Sequence, residues 1–378
     1  MKKLIALLLA CVMVFGLAAC GGSNSEKPNE GEANTGVEMK VAMISDYADI
    51  TDQSFNQTTY EAMKEYCEAN GVDYTYYKPI QDNTAERVAM VDAAISAGYN
   101  VILLPGYAFG DTIKEVVDLY PDVKFIALDV SEGDLGDYVL PENAFSAIYQ
   151  EELCGYMAGY AAVKLGYRHL GFMGGMALPA VQRFGYGWLQ GVDAAAKELG
   201  CSEEVAMEWI YANSFSGDAD ITAVMDGWYG ELGVDCVFSC AAGAYSSVAE
   251  AAQKVGGKMV GVDVDQAPIV DSVYGEGMVI TSAVKGLGAT VKTLLAEVAA
   301  GNFANYGGQI MTMGLVSENP EENYVQIPMN TQFEDGKFTQ EDYKAMVAAM
   351  LAGEIVVSNA IDTMPQVSYT LNEYAPIK

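Results

Sequence analysis

Three aspartates, one lysine and several aromatics recur at one kind of place in this sequence, just past a short apolar run. Asp46 follows Val41–Ile44, Asp129 follows Lys124–Leu128, Asp263 follows Lys258–Val262 and Lys285 follows Met278–Ser282. Phe55 and Asn56 come soon after Asp46, and Pro105–Phe109, Gly174-Gly175-Met176, Phe215 and Ala242-Gly243 stand after other runs. An anion, an aromatic face and an amide placed together suit a polar, ring-bearing small molecule. A carboxylate such as Asp46 or Asp263 can accept two bonds from the adjacent hydroxyls of a sugar, each worth about 1.5–3 kcal/mol when charge-assisted. Aspartates after strands serve equally as helix N-caps or turn residues. A glycosidase-like pair of carboxylates is the other chemical reading, but nothing in the sequence marks one of them as an acid with a raised pKa. The set holds no nucleophile–base pair and no metal-ligand cluster, so neither catalysis nor a cofactor is expected of it.

Other features carry less. Gly171-Phe-Met-Gly174-Gly175 lacks both the GxGxxG order and the GK[ST] ending of phosphate-binding loops. Gly243 marks a tight turn where backbone can approach a ligand. Phe55, Phe184, Phe215 and Tyr245 fall near predicted crevice edges, where an aromatic serves as core or as a stacking platform. Taken alone, Lys285 reads as a solvated lysine. The single histidine, His169, precedes an apolar run and reads as a strand-edge residue. Of seven cysteines, Cys67, Cys154, Cys201, Cys236 and Cys240 have no metal or disulfide spacing and read as small apolar fillers.

The elements that must position these residues alternate regularly. Strand Val41–Ile44 leads to a helix reaching Asn70, with Ser54-x-x-Gln57 fitting a capping box at its start. Helix Thr84–Ala97, strand Val101–Leu104, helix Asp111–Tyr120 and strand Lys124–Leu128 follow. The pattern restarts with Phe145–Tyr149 and a helix Glu151–Lys164, whose Gly155, Ala158, Gly159 and Ala162 allow close packing. Strand Leu170–Met173, helix Val181–Leu199, strand Ala206–Tyr211, helix Asp218–Leu232, strand Cys236–Cys240, helix Ala244–Lys254 and strand Lys258–Val262 complete a second series. Strand Met278–Ser282, helix Leu287–Ala300 and, after a less regular stretch from Gly307, a short helix Asp342–Leu351 close the chain. Two βα series imply α/β architecture: two doubly wound parallel-sheet lobes, with strand C-termini facing a crevice between them.

Bulk properties agree with an exported protein. The chain has 378 residues, enough for two domains, and about half are apolar. Its net charge of −31 repels nucleic acid and anionic lipid head groups. Lys2 and Lys3 followed by the apolar run Leu4–Phe15 read as a signal peptide over 1–19. Leu17-Ala18-Ala19-Cys20 resembles a bacterial lipoprotein lipobox, which implies a lipid on Cys20 and an extracytoplasmic, lipid-anchored protein at the cell membrane. Residues 20–38 are polar and rich in Gly, Asn and Glu, and read as a flexible tether.

The motifs together resemble a known family. Asp46, the run Asp52-Gln-Ser54-Phe55-Asn56-Gln57, Gly106-Tyr-Ala-Phe109, Tyr120-Pro-Asp-Val-Lys-Phe125-Ile-Ala-Leu-Asp129, Gly171-Phe-Met-Gly-Gly-Met176, Arg183-Phe184, Ala242-Gly243, Gly261-Val-Asp-Val-Asp-Gln266 and Thr281-Ser282-x-x-Lys285 occur in order. They are similar to the basic membrane protein family, the purine-nucleoside-receptor-like substrate-binding lipoproteins of ABC transporters. The resemblance implies a type I periplasmic-binding fold with a ligand cleft at the hinge. It implies lobes of 39–145 plus roughly 285–314, and of 146–284 plus roughly 315–378. It also implies a nucleoside ligand, and permease and ATPase subunits as partners. Carried across, Phe55 looks like one stacking face and Asn56 an amide reading the base, with Asp46 and Asp129 as further polar contacts. Asp263 looks like the ribose-diol acceptor and Lys285 a second ribose or ring contact, with Phe215, or next Phe184, as the opposite aromatic. Tyr47 and Ala244-Tyr245 depart from the family pattern and add bulk near the site. The same fold could hold a sugar, a furanone signal or another small metabolite, and an exported nucleoside- or sugar-processing enzyme is the reading from a different class.

Overall fold

A computed structural model describes residues 38–378; the expected signal peptide, Cys20 and all but the last residue of the expected tether lie outside the described residues. The chain begins with β1 (Lys40–Ile44), α1 (Phe55–Asn70), β2 (Asp73–Tyr77), α2 (Thr84–Ser96), β3 (Val101–Pro105), α3 (Gly110–Val116), β4 (Lys124–Leu128), α4 (Glu132–Leu135) and β5 (Ala144–Tyr149). A second series follows: α5 (Glu151–Leu165), β6 (His169–Gly174), α6 (Pro179–Leu199), β7 (Ala206–Tyr211), α7 (Ala219–Asp226), β8 (Cys236–Cys240), α8 (Tyr245–Val255), β9 (Lys258–Asp263), α9 (Ala267–Tyr274) and β10 (Val279–Lys285). The last elements are α10 (Leu287–Ala299), β11 (Gln309–Met313), β12 (Val325–Gln326), α11 (Gln340–Leu351) and β13 (Thr370–Glu373).

The strands form two sheets, in the orders β11-β5-β4-β3-β1-β2 and β12-β10-β9-β8-β6-β7-β13. All neighbours are parallel except β10 and β12. The central strands are uninterrupted apolar runs because helices cover both faces, as with the fully buried VILLP of β3. Each sheet carries the same 2-1-3-4-5 order, with its reversal beside β1 in one and β6 in the other, and ligand crevices open at such points.

The chain crosses between sheets after β5, β10 and β11. The lobe boundary expected at 145/146 falls inside β5, which pairs with β11 and β4 in the first sheet. At the crossings the backbone segments lie side by side, with Gln150 N–H donating to Met313 O and Gly286 N–H to Tyr324 O (3.0 and 2.8 Å). Gly314 leaves room here for the side chain of Gln150, whose Oε1 lies 1.6 Å from where a Cβ would stand.

Helices α5 and α6 meet backbone to backbone. A Cβ on Gly155 would lie 2.2 Å from Phe184 O, and one on Gly187 2.1 Å from Glu152 O. This contact fixes Glu151 on α5 against Arg183 and Phe184 on α6. The sequence reading missed β2, α4, α9, β11, β12 and β13, and ran α7 straight through a π-helical turn, Gly227–Leu232. His169 opens β6 and pairs with Glu208 (2.8 Å). Five cysteines of the described residues are free and buried within the core.

Candidate functional site

The expected capping box does not form. Ser54 makes no side-chain bond to the start of α1; its hydroxyl donates to Asp263 Oδ2 (2.7 Å), joining loop and strand end from different sheets. Asp52 caps α1 instead, accepting backbone N–H bonds from Ser54, Asn56 and Gln57 (2.9, 3.0 and 3.0 Å). Gln57 Oε1 accepts from Gln53 N–H rather than from Ser54 (3.0 Å). The helix start is thereby fixed, and with it the two residues that open α1, Phe55 and Asn56.

Lys285 is not solvated. It ends β10, is only 4% exposed, and its Nζ lies 2.5 Å from Asp129 Oδ2, 3.5 Å from Glu151 Oε1 and 3.7 Å from Asp263 Oδ1. The rings of Phe55, Phe184 and Tyr149 surround the ammonium at 5.0, 5.3 and 5.5 Å. Burial works against this charge, but Asp129, Asp263 and Glu151 outweigh it and hold the ammonium above the ordinary lysine range. Burial raises Asp263, against the pull of Lys285 and Ser54, and it raises the fully buried Glu151. Arg183 Nε donates to Glu151 Oε2 (2.6 Å). Asp129 and Asp263 adopt positive φ angles of 61° and 65°, a conformation that costs a non-glycine residue roughly 1–2 kcal/mol and that aspartate tolerates better than most. These turns leave each strand end with its carboxylate against Lys285.

A cavity of about 420 Å³ opens over this cluster. Its wall includes Asp46, Phe55, Asn56, Asp129, Phe184, Phe215, Gly243, Asp263 and Lys285, so every residue expected at the site from sequence meets one space. Their environments differ. Phe184 is 2% exposed and packs edge-on against Phe238, so most of it is core, while Phe55 and Phe215 are half-buried. Phe215 lies over Gly175, where a Cβ would come within 2.3 Å of its ring. Asp46 Oδ1 accepts from Tyr47 N–H, Ala48 N–H and Asn56 Nδ2 (2.6, 2.8 and 3.2 Å), and burial raises its pKa. Tyr47 is in the wall, whereas Ala244 is fully buried and Tyr245 packs against the apolar cluster behind β8. Sequence reasoning passed over Glu151 and Tyr149, and named Asp52, Arg183 and Ser54 without giving them this role. The signal for Glu151 was present, as two glutamates open an otherwise small and apolar helix, but acids are ordinary at a helix start.

The arrangement can hold a neutral, ring-bearing molecule by stacking and hydrogen bonding. Among the described residues no group of acidic, histidine or cysteine side chains could hold a metal ion, and no helix is long and apolar enough to cross a membrane.

The sequence model of the Bmp family, PnrA-like ABC transporter substrate-binding proteins, matches residues 39–352. The chain belongs to the Bmp family. Among its relatives is the "ABC transporter nucleoside-binding protein BmpA" of Lactococcus lactis subsp. cremoris, 25% identical over 83% of this chain and 89% of the relative. Another is "Basic membrane protein B" of Borreliella burgdorferi, 27% identical over 85% of this chain and 89% of that protein. An ABC-transporter solute-binding protein from Aeropyrum pernix K1 shares the fold, with a TM-score of 0.64 at 21% identity over 84% of this chain and 87% of its own. This Bmp-family chain is thus a substrate-binding protein of the periplasmic-binding type.

Proposed function

We propose that this protein binds a nucleoside, with a purine as the base, in its cleft and delivers it to an ABC permease and ATPase, without chemistry on the ligand. The observation that carries the reading is the one cavity lined by Phe55 and Phe215, the amide of Asn56 and Lys285 with the carboxylates of Asp129 and Asp263 against it. Phe55 and Phe215 stack on the base, Phe184 backs Lys285, and Asp46 and Asn56 meet the base edge. Asp263 and Lys285 hold the ribose, and Gly243 lets backbone approach it. The name of the Lactococcus relative supports the same ligand class. Cys20 carries the lipid that keeps the protein on the extracytoplasmic face, joined by the tether of 20–38. The ligand favours the closed lobes only by the contacts it gains there.

Mass spectrometry of the ligand that co-purifies, followed by calorimetry with nucleosides, free bases and ribose, tests this. A co-purified nucleoside and tighter binding of nucleosides than of either half are expected. Phe55→Ala should lose about 1–3 kcal/mol of that affinity, the worth of one stacking platform. A sugar or furanone in the cleft, with no nucleoside binding, would refute the reading.

A further inference from the structure

The side-chain amide of Asn56 can face only one way. Its Nδ2 donates to Asp46 Oδ1 and to Asp52 Oδ2 (3.2 and 3.0 Å). Both facing oxygens already accept backbone N–H bonds and act there as acceptors, so the amide oxygen cannot take that place. Asn56 Oδ1 is turned away from both, and is buried without a donor among the described residues. Asp52 fixes this orientation, because the backbone N–H groups of Ser54, Asn56 and Gln57 hold its carboxylate at the start of α1. Asp46 is equally one-sided. Oδ1 takes three donors, while Oδ2 has none among the described residues and lies toward Gly106, 3.6 Å from where a Cβ there would stand. Asp129 Oδ1 is a second buried acceptor without a donor. Tyr47 and Tyr107, also in the wall, carry hydroxyls that can play either part. Beside Phe55, the fixed polar groups therefore offer acceptors that lack donors.

We propose that this end of the cleft selects a ring edge bearing adjacent N–H donors, and that Asp52 is the positioning residue that sets the polarity through Asn56. The inference rests on the nucleoside reading. A guanine edge places a ring N–H beside an exocyclic amine and satisfies two acceptors. Hypoxanthine offers the ring N–H alone. Adenine sets its amine beside a ring-nitrogen acceptor, which would face another acceptor and leave both unpaired.

Calorimetry with guanosine, inosine and adenosine decides it. Wild type should bind guanosine roughly tenfold or more tightly than adenosine, with inosine between, as expected for one lost hydrogen bond in a buried site. Asp52→Asn removes one of the two acceptors that hold Asn56 Nδ2 and leaves only Asp46 to set the amide; the guanosine-to-adenosine ratio should fall several-fold while binding persists. Asp46→Asn, which leaves the cap on α1 intact, should lower the same ratio. A loss of stability alone would weaken all three ligands together and leave the ratio unmoved. Equal wild-type affinities, or a preference for adenosine, would overturn the inference and leave the nucleoside reading standing. Failure of all three to bind would overturn both, and an unchanged ratio in both folded variants would remove the roles given to Asp52 and Asp46.

Discussion

Replacing Lys285 by methionine tests the electrostatic account most directly. The substitution keeps an unbranched side chain of similar length and removes one charge. Asp129, Glu151 and Asp263, which lie 2.5, 3.5 and 3.7 Å from the ammonium, then face one another with only Arg183 on the far side of Glu151. Breaking a buried pair by removing one partner costs about 3–5 kcal/mol, because a charge remains without compensation. A typical domain has about 5–15 kcal/mol in all, so the loss is a large share of stability. At about 2 °C per kcal/mol, the low end of the scaling suited to a long chain, Tm should fall by roughly 6 °C or more near pH 8. The sign of its pH dependence follows from the same groups. Burial already raises Asp263 and Glu151, and without Lys285 they rise further, so acid neutralises the uncompensated charge. The Tm gap between variant and wild type should therefore narrow from pH 8 to pH 5. Thermal unfolding at the two values, followed by circular dichroism, reads both effects. A gap below about 2 °C at pH 8, or one that widens toward pH 5, would refute the argument.

Two further perturbations probe elements around the cleft. Gly155→Ala places a methyl group 2.2 Å from Phe184 O, and the overpacking cost of about 1–3 kcal/mol should reach its upper end because backbone cannot yield as a side chain does; urea unfolding showing equal or greater stability would refute the close helix contact. Glu152 has Oε2 buried without a donor, and burial raises it from 4.5 to about 7. Its contribution to stability is full below the unfolded value and is lost as pH rises through the folded one, about 3 kcal/mol across the interval. Glu152→Gln escapes that loss, so its stability relative to wild type should rise by about 2–3 kcal/mol from pH 5 to pH 8, and a flat difference in chemical denaturation would count against it.

Where strands are buried on both faces, the fold was legible, because β1, β3, β4 and β8 each hold an apolar run with at most one polar residue. The edge strands escaped for the opposite reason. In β2 the sequence DYTYY has an acid and no aliphatic residue, and its pairing with β1 is visible only once β1 is in place. The carboxylates at the site were found because the βα grammar sends strand ends to a common crevice. The burial of Lys285 was not, since its partners come from β4, β9 and the start of α5, more than twenty residues away in every case. Ser54 and Gln57 show the limit of a local motif. Their spacing fits a cap, but Asp52 stands closer to the orphan N–H groups and leaves Ser54 to Asp263.

The three crossings between the sheets bear on how such a molecule can move. A single connection would allow one lobe to swivel freely over the other. Here three backbones run abreast, tied by bonds from Gln150 to Met313 and from Gly286 to Tyr324, with Gly314 pressed against the side chain of Gln150. A strap of that kind bends across its width far more easily than it twists. Such a strap favours opening along one direction, like a book on its spine. The outer rims of the two lobes would then part and meet along a single relative path.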